Sequence, residues 1–364
     1  MNQPNLGIYP TLESYSSYSI PTPVQNITIQ SLPPEISTQI DLALGCVFGA
    51  FIGDSLGSYI EFENSISEGM LSETLEMRGG GPFSVGPGQV TDDSELAMCL
   101  LRGLYEGNGK FNLDLIAKYY KEWYCTGPFD IGKTTKNALK VYKDNPAFAK
   151  FSIASSKELN KKSKSNGSFM KCTPMAVFCR NLNDKEIRRA VSLECSMTHS
   201  NLEIQDAQVC YIKAIVSLFR YPGDRVRAYN EAKSMARRYE TKEWFDDIEN
   251  SQPMKADHKI GRAKIAFDHA FRHLRNESNY FDAMTGILRL GGDTDTNAAI
   301  VGGLIGAADG YSGIPKNWKE KVKNFKFEGI GIDRPWFLDQ TDVERQVEYL
   351  YYISPYSLSI IAEE

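Results

Sequence analysis

Residues 42–57 read LALGCVFGAFIGDSLG, and glycine recurs at every fourth position of this apolar stretch, at Gly45, Gly49, Gly53 and Gly57. The pattern predicts a helix over residues 41–60 with all four glycines on one face. Because a glycine inside a helix costs about 0.8–1.0 kcal/mol relative to alanine, a row of four needs a compensating interaction. We interpret the row as a groove into which a second backbone packs.

A second row of small residues occurs near residue 300, where Ala298 is followed by Gly302, Gly306 and Gly310. It lies in a helix predicted over residues 295–308. Two interpretations of the rows are open at this point. They could serve tight helix packing alone, or the packing could bring two helix N-termini together at a functional site.

Acidic residues stand directly before two of the predicted helices, and each cluster follows a glycine-bearing turn. Their members are Thr91, Asp92, Asp93, Asp293, Asp295 and Thr296. Either cluster alone would serve as a helix cap, because Asp and Thr suit the N-cap and acids suit the positive end of the helix dipole.

Taken together, the two acidic clusters favour a metal site. Four carboxylates brought together repel one another and do not all stay ionised without a counter-charge. Ligands that are all oxygen select Mg²⁺, Mn²⁺ or Ca²⁺ over zinc. We therefore predict two divalent cations, which could clamp a reacting oxygen or generate hydroxide.

Residues Gly127–Thr134, GPFDIGKT, match the phosphate-binding motif G-x-x-x-x-G-K-[ST] letter for letter. That motif acts only between a buried strand and a helix. Here residues 113–124 predict an amphipathic helix, and Asp130 would place an acid where phosphates should lie. We favour a helix–loop–helix turn and keep a P-loop nucleotidase as an alternative.

Helical periodicity dominates the rest of the chain and predicts an all-α protein. Candidate strands are confined to residues 325–332 and 351–361. The Pro- and Ser-rich residues 1–36 predict a flexible tail, which leaves 37–364 as a single domain. Helices are predicted over 41–60, 94–106, 112–124, 134–143, 184–197, 201–220, 225–239, 261–275, 280–289 and 295–308.

The composition argues against several classes of protein. The 364 residues include 41 Lys and Arg against 46 Asp and Glu, a net charge of −5, unlike a strongly basic nucleic-acid binder or a polybasic membrane-surface protein. The apolar run at 42–53 is too short to span a bilayer. Residues 1–36 lack the basic residues of a signal peptide, and the seven cysteines form no C-x-x-C pair. We predict a cytoplasmic monomer with no nucleic-acid or membrane partner.

Several blocks, in this order, resemble the ADP-ribosylglycohydrolase family, specifically its bacterial dinitrogenase-reductase-activating type. The resemblance covers roughly residues 42–320, and the two acidic blocks are its most specific part. The blocks are GAFIGDSLG at 49–57, GQVTDD at 88–93, Asp130-Ile131-Gly132 with Thr134-Thr135, NGSFM at 166–170, THS at 198–200, GGDTDT at 291–296, and Pro315 with Trp318.

The resemblance implies an orthogonal helical bundle with a dinuclear Mg²⁺ or Mn²⁺ cleft that hydrolyses the bond between the ribose of ADP-ribose and an acceptor. It makes the six residues of the acidic clusters the metal ligands and adds Asp93 to the catalytic set. Glu61 and Asp130 become the two candidates for the acid that transfers a proton. Asn166, Gly167 and Ser168 would bind the diphosphate, and His199 would lie beside the substrate cleft.

Two positions depart from the family pattern, Lys171 where Arg is common and Asn297 where an apolar residue is usual. All six expected ligands are present, which favours an active enzyme. The substrate would be an ADP-ribosylated protein, with arginine linkage favoured and serine linkage or small ADP-ribose conjugates left open. The alternative from another class is a non-catalytic ADP-ribose-binding or structural protein on the same scaffold.

Overall fold

The computed structural model describes residues 34–140, 147–256 and 258–361. In these ranges the helices are α1 Pro34–Gly57, α2 Glu68–Leu75, α3 Asp92–Glu106, α4 Leu113–Cys125, α5 Lys133–Leu139, α6 Phe148–Leu159, α7 Thr173–Cys179, α8 Asp184–Ser196, α9 Leu202–Arg220, α10 Arg225–Met235, α11 Tyr239–Asn250, α12 Ala263–Arg275, α13 Tyr280–Leu288, α14 Thr294–Asp309, α15 Lys316–Lys323 and α16 Val343–Ile353. Two short strands, β1 Phe111–Asn112 and β2 Ile360–Ile361, pair in parallel. The prediction of a mainly helical protein is confirmed.

Both candidate strands were wrong over most of their length. Residues 325–332 form no strand, and residues 351–353 are the end of α16, so that only Ile360–Ile361 is extended and paired. The tyrosine-rich sequence of α16 suits a strand locally. Its buried residues Val343, Val347 and Leu350 nevertheless lie three and four positions apart, as on a helix face.

The centre of the fold consists of helices that are buried on nearly all sides. In α14, every residue from Thr294 to Gly306 is buried, and α9 is buried almost as completely. Two tyrosine hydroxyls join helices of this centre, α9 to α14 and α13 to α1, by donating to carbonyl oxygens inside the helices. Tyr211 binds Ile300 at 2.7 Å, and Tyr280 binds Gly49 of α1 at 2.6 Å.

The two glycine rows face each other, so that the predicted close approach of a second backbone is confirmed. A Cβ built on Gly49 would lie closer than 3.0 Å to the carbonyl oxygen of Gly302, and a Cβ on Gly302 would overlap that of Gly49. Gly53 faces Ala298 in the same way. Helices α1 and α14 therefore pack backbone against backbone, which larger side chains would prevent.

Helix α1 is also long and apolar enough to cross a membrane by length and composition, with a window of mean hydropathy 1.5. Within the protein, however, 72% of that window is buried. Its buried face lies against α14, so packing inside the core accounts for its apolar sequence.

We expect Gly53→Ala to lower the free energy of unfolding by about 3 kcal/mol or more, because the added methyl group would collide with the backbone of α14. Gly69→Ala is the matched control, since Gly69 lies on exposed α2 with its nearest neighbouring atom 3.9 Å from a built Cβ. That change should stabilise the protein by about 0.5–1 kcal/mol. Urea unfolding of both variants measures the difference, and equal stabilities would contradict the packing described above.

The domain boundary placed between residues 36 and 37 stays a prediction. By spatial clustering the chain falls into Met1–Ser37 and Thr38–Glu364. Most of the predicted flexible tail, residues 1–33, lies outside the described part of the chain.

Candidate active site

Three helix ends meet where the glycine row of α1 finishes. Gly57 is the last residue of α1, and a Cβ there would overlap the backbone of Thr294 and Asp295 at the start of α14. The Thr294 hydroxyl donates to the Gly57 carbonyl at 2.7 Å. Packing of the glycine rows thus delivers the N-terminus of α14 to the C-terminus of α1.

Asp54 of α1 joins the N-terminus of α3 to the same point. Its buried carboxylate accepts the backbone N–H groups of Thr91 at 3.0 Å and Ser94 at 3.1 Å, and the Ser94 hydroxyl at 2.5 Å. Thr91 makes no side-chain cap of its own, so a residue 37 positions earlier caps α3. Sequence reasoning gave Asp54 no role, although an acid that interrupts an apolar helix was a signal.

Carboxylates from all three helix ends converge. Asp54, Asp93 and Asp295 each bring an oxygen within 4.8 Å of the others, and Glu61, Asp293 and Asp295 do the same. Asp295 belongs to both groups. The two acidic clusters, some 200 residues apart in sequence, therefore lie at one place.

The remaining residues predicted as metal ligands are also present there. The Thr91 hydroxyl lies 3.1 Å from Asp93 and 3.5 Å from Asp295. The Thr296 side chain is buried beside Asp293 and Asp295 on the first turn of α14, and its hydroxyl lowers the pKa of Asp93 and of Asp293 against the effect of burial. Asp92 belongs to neither group of converging oxygens, and its carboxyl faces Asp130.

Hydrogen bonds alone do not satisfy this cluster. The Thr91 hydroxyl has one proton to donate, and Asp54 also lies 3.0 Å from it. Within the described residues, one buried oxygen of Asp93 and one of Glu61 have no hydrogen-bond partner. A buried acceptor without a partner is costly, so an all-oxygen site with these open positions fits a hard divalent cation.

Electrostatics lead to the same conclusion. Burial and the charges of Asp130 and Asp293 raise the pKa of Glu61 to about 9. Burial likewise raises the pKa of Asp54 to about 7 and holds the pKa of Asp295 well above its usual range. Seven carboxylates share the site, namely Asp54, Glu61, Asp92, Asp93, Asp130, Asp293 and Asp295.

The nearby basic residues do not neutralise these acids. In the described part of the chain, the ion pairs involve other carboxylates, such as Glu95 with Arg334 and Asp268 with Arg272. The seven carboxylates are therefore left to be balanced by protons or by bound cations.

Asp130 lies in the turn between α4 and α5, which is the segment that matches the P-loop motif. Helix α4 precedes this turn where a P-loop requires a strand, so that the nucleotidase interpretation loses its structural context. Asp130 lies close enough to Asp92 for its charge to raise the pKa of the Asp92 carboxyl. Burial raises the pKa of both.

Glu61 is held against the start of α14. The N–H of Phe62 donates to the Gly292 carbonyl at 2.7 Å, and the N–H of Gly292 donates to the Glu63 carbonyl at 2.7 Å. Phe62 has a φ of 70°, a strained value for a bulky residue. These two backbone hydrogen bonds therefore hold the residues that follow Glu61 beside Asp293.

The predicted substrate loop lies next to the second acidic cluster. The Asn166 amide donates to Asp293 at 2.7 Å, and its backbone N–H donates to the Gly261 carbonyl. Gly167 is half-buried, whereas Ser168 is fully buried. Asn166 therefore orients Asp293, and the Gly167 backbone is the more accessible part of this loop.

His199 supports the N-terminal side of that loop. It is fully buried, with Nε2 2.9 Å from the Ser165 hydroxyl and Nδ1 2.9 Å from the Thr198 hydroxyl. Burial lowers its pKa to about 3, so the ring is neutral. Its place beside the substrate cleft stays a prediction, and its contact with Ser165 brings it next to the loop that begins at Asn166.

A family model, ADP-ribosylglycohydrolase, matches residues 35–351. The chain belongs to this family. A solved structure with a similar fold is an ADP-ribosylglycohydrolase-related protein complex. It superimposes on this chain with a TM-score of 0.69 and 22% sequence identity, over 87% of this chain and 99% of the other.

Curated relatives cover most of this ADP-ribosylglycohydrolase-family chain. A mimivirus protein named as an ADP-ribosyl glycohydrolase, L543, is 30% identical over 78% of this chain and 91% of its own. The ADP-ribosylarginine hydrolase Tri1 of Pseudomonas putida is 29% identical over 80% and 76%. The ADP-ribosyl-[dinitrogen reductase] glycohydrolase of Rhodospirillum rubrum is 25% identical over 78% and 90%.

Proposed function

We propose that the protein is a metal-dependent hydrolase that removes ADP-ribose from modified proteins, with ADP-ribosylarginine as the preferred linkage. The observation that carries the proposal is the convergence of seven carboxylates, five of them buried and two half-buried, for which the described part of the chain offers no ion pair. The names of the bacterial relatives support the arginine linkage. In the same proposal the protein is a cytoplasmic monomer.

Two cations, Mg²⁺ or Mn²⁺, would be held by Thr91, Asp92, Asp93, Asp293, Asp295 and Thr296. Asp295 is the member common to both carboxylate groups and would be central to this ligand set. Bound cations would supply Lewis-acid stabilisation of oxygen charge that develops in the transition state. Asp54 has its oxygens taken by N–H and O–H donors, so its part is to fix Thr91 and Ser94.

The other side chains of the site would bind and move protons. Glu61 and Asp130 would take a proton from the attacking water and return one to the leaving nitrogen of the acceptor. The backbone N–H groups around Gly167 and the side chain of Asn166 would face the diphosphate, as glycine-bearing turns do for anions. His199 would keep that turn in place.

Release of free ADP-ribose tests the proposal. Peptides carrying ADP-ribosylarginine or ADP-ribosylserine are incubated with the protein in Mg²⁺, in Mn²⁺ and in chelator. We expect release from the arginine peptide with either metal and none with chelator. Binding of ADP-ribose without release from any peptide would favour the non-catalytic alternative instead.

Lys133→Ala separates the hydrolase from the nucleotidase alternative. Lys133 is the exposed first residue of α5, and the motif around it is not preceded by a strand. We expect the variant to keep ADP-ribose release within about twofold of the unmodified protein, as is usual for exposed positions. ATP binding that fails on Lys133→Ala but survives Asp293→Ala would contradict this.

A further inference from the structure

Residues 329–338 cross from α15 towards α16 and lie against the glycine-rich loop that precedes α3. The side chain of Gln89 holds this segment at Ile332. Its amide donates to the Ile332 carbonyl at 2.7 Å and its oxygen accepts the Ile332 N–H at 2.9 Å. The segment is thus fixed two residues before Thr91 of the acidic cluster.

Arg334 extends from this segment into the protein and binds Glu95 of α3. Its Nε and Nη2 donate to the two Glu95 oxygens at 2.6 and 2.9 Å, a bidentate pair in which the Glu95 side chain is 2% exposed. Trp123 of α4 donates to the same carboxylate at 2.7 Å. Glu95 lies three residues after Asp92, on the first turn of α3.

The same guanidinium contacts the turn that carries Asp130. Its Nη2 donates to the Thr126 hydroxyl at 3.0 Å, and its carbon lies 5.5 Å from the centre of the Phe129 ring. Phe129 also packs on Phe83, with the two ring centres 5.8 Å apart. Among these contacts, Arg334 is the one that also binds Glu95 and so links residues 126–129 to α3.

We propose that Arg334 is a positioning residue that holds the Asp130 carboxyl beside Asp92. The inference rests on the proposed function, in which Asp130 moves a proton. Asp92 and Glu95 lie on the same helical turn of α3. A side chain that binds both Glu95 and residues 126–129 therefore fixes the distance between the carboxyl groups of Asp92 and Asp130. Arginine suits the task because its planar group binds a carboxylate in two places while it stacks on a ring.

Hydrogen exchange tests the restraint without use of activity. In Arg334→Met, backbone amides of residues 126–132 should exchange at least about tenfold faster than in the unmodified protein, with Arg334→Lys in between. Arg345→Met is the matched control, since Arg345 also pairs bidentately with an acid, Asp342, but is 41% exposed. Unchanged exchange in Arg334→Met would overturn the proposal.

Kinetics test whether the effect passes through Asp130. Arg334→Met should lower kcat on ADP-ribosylarginine peptide about 10- to 100-fold with KM within about threefold, because a displacement of about 1 Å in a reacting group has such an effect. In the Asp130→Asn background, the same change should lower kcat by less than about twofold. Equal losses in both backgrounds would overturn the proposal, as would full activity of Asp130→Asn.

The two proposals fail in different ways. An unmodified protein that releases no ADP-ribose refutes the proposed function, and the exchange experiment still decides whether Arg334 restrains the turn. An active protein with additive losses retains the proposed function and refutes the role of Arg334.

Discussion

Asp295→Asn is expected to lower kcat for ADP-ribose release by about 1,000-fold or more and to abolish saturable binding of Mg²⁺ or Mn²⁺. Asp295 contributes an oxygen to both carboxylate groups, so its loss weakens both candidate cation positions at once. Lewis-acid stabilisation is worth several kcal/mol, and each 1.36 kcal/mol changes the rate tenfold. Asparagine keeps the shape of the side chain, so the fold should be preserved.

Calorimetric titration with each metal and steady-state kinetics measure the two effects. Asp282→Asn, on the exposed face of α13, is the control and should change neither. An Asp295→Asn variant that turns over near the normal rate at limiting metal would remove the metal-dependent mechanism. Circular dichroism of both variants establishes that the helices are intact.

The metal-free protein is expected to lose stability as pH rises, on the order of 5 kcal/mol between about pH 5 and about pH 9. Folding raises the pKa of Glu61 from 4.5 to about 9 and that of Asp54 from 3.8 to about 7. Between the unfolded and folded pKa values, the folded chain binds more protons than the unfolded chain. The free energy of unfolding therefore falls with pH across this window.

Divalent cations should reverse that trend. A cation offsets the repulsion between ionised carboxylates, and a concentration one hundredfold above Kd adds about 2.7 kcal/mol to stability. Urea unfolding at about pH 5 and pH 8, with Mg²⁺, Mn²⁺ or a matched concentration of NaCl, measures the effect. The gain should be larger at the higher pH, where more carboxylates have lost their protons. If the free energy of unfolding in chelator instead rose with pH, repulsion between the carboxylates would not be destabilising the folded protein.

The Asp295→Asn variant links the two predictions. Removal of one buried carboxylate reduces the repulsion within the cluster, so the metal-free variant should lose less stability at high pH than the unmodified protein. It should also gain little from added Mg²⁺. The same substitution thus lowers activity but raises the stability of the metal-free protein at high pH. A general folding defect would lower both.

Each of the ten helical segments predicted from local sequence patterns corresponds to a helix of the structure, although residues 141–143 of the segment predicted over 134–143 lie outside the described residues. The prediction over 94–106 corresponds to α3 at Asp92–Glu106, and that over 280–289 to α13 at Tyr280–Leu288. Shorter or more highly charged helices escaped, as with α11, whose sequence YETKEWFDDIEN has four buried residues among many charges. In such segments tertiary burial, rather than propensity, selects the helix.

The sequence by itself determined that the protein is helical, that two glycine rows need a close partner, and that two acidic helix starts offer only oxygen ligands. These conclusions follow from the spacing and the side-chain chemistry of residues that are close together in the sequence. Only the tertiary structure decided that Asp54 caps α3, that Asp130 meets Asp92, and that Arg334 reaches the same turn. Those contacts join residues 37 to more than 200 positions apart, and their formation depends on how whole helices pack rather than on any local pattern.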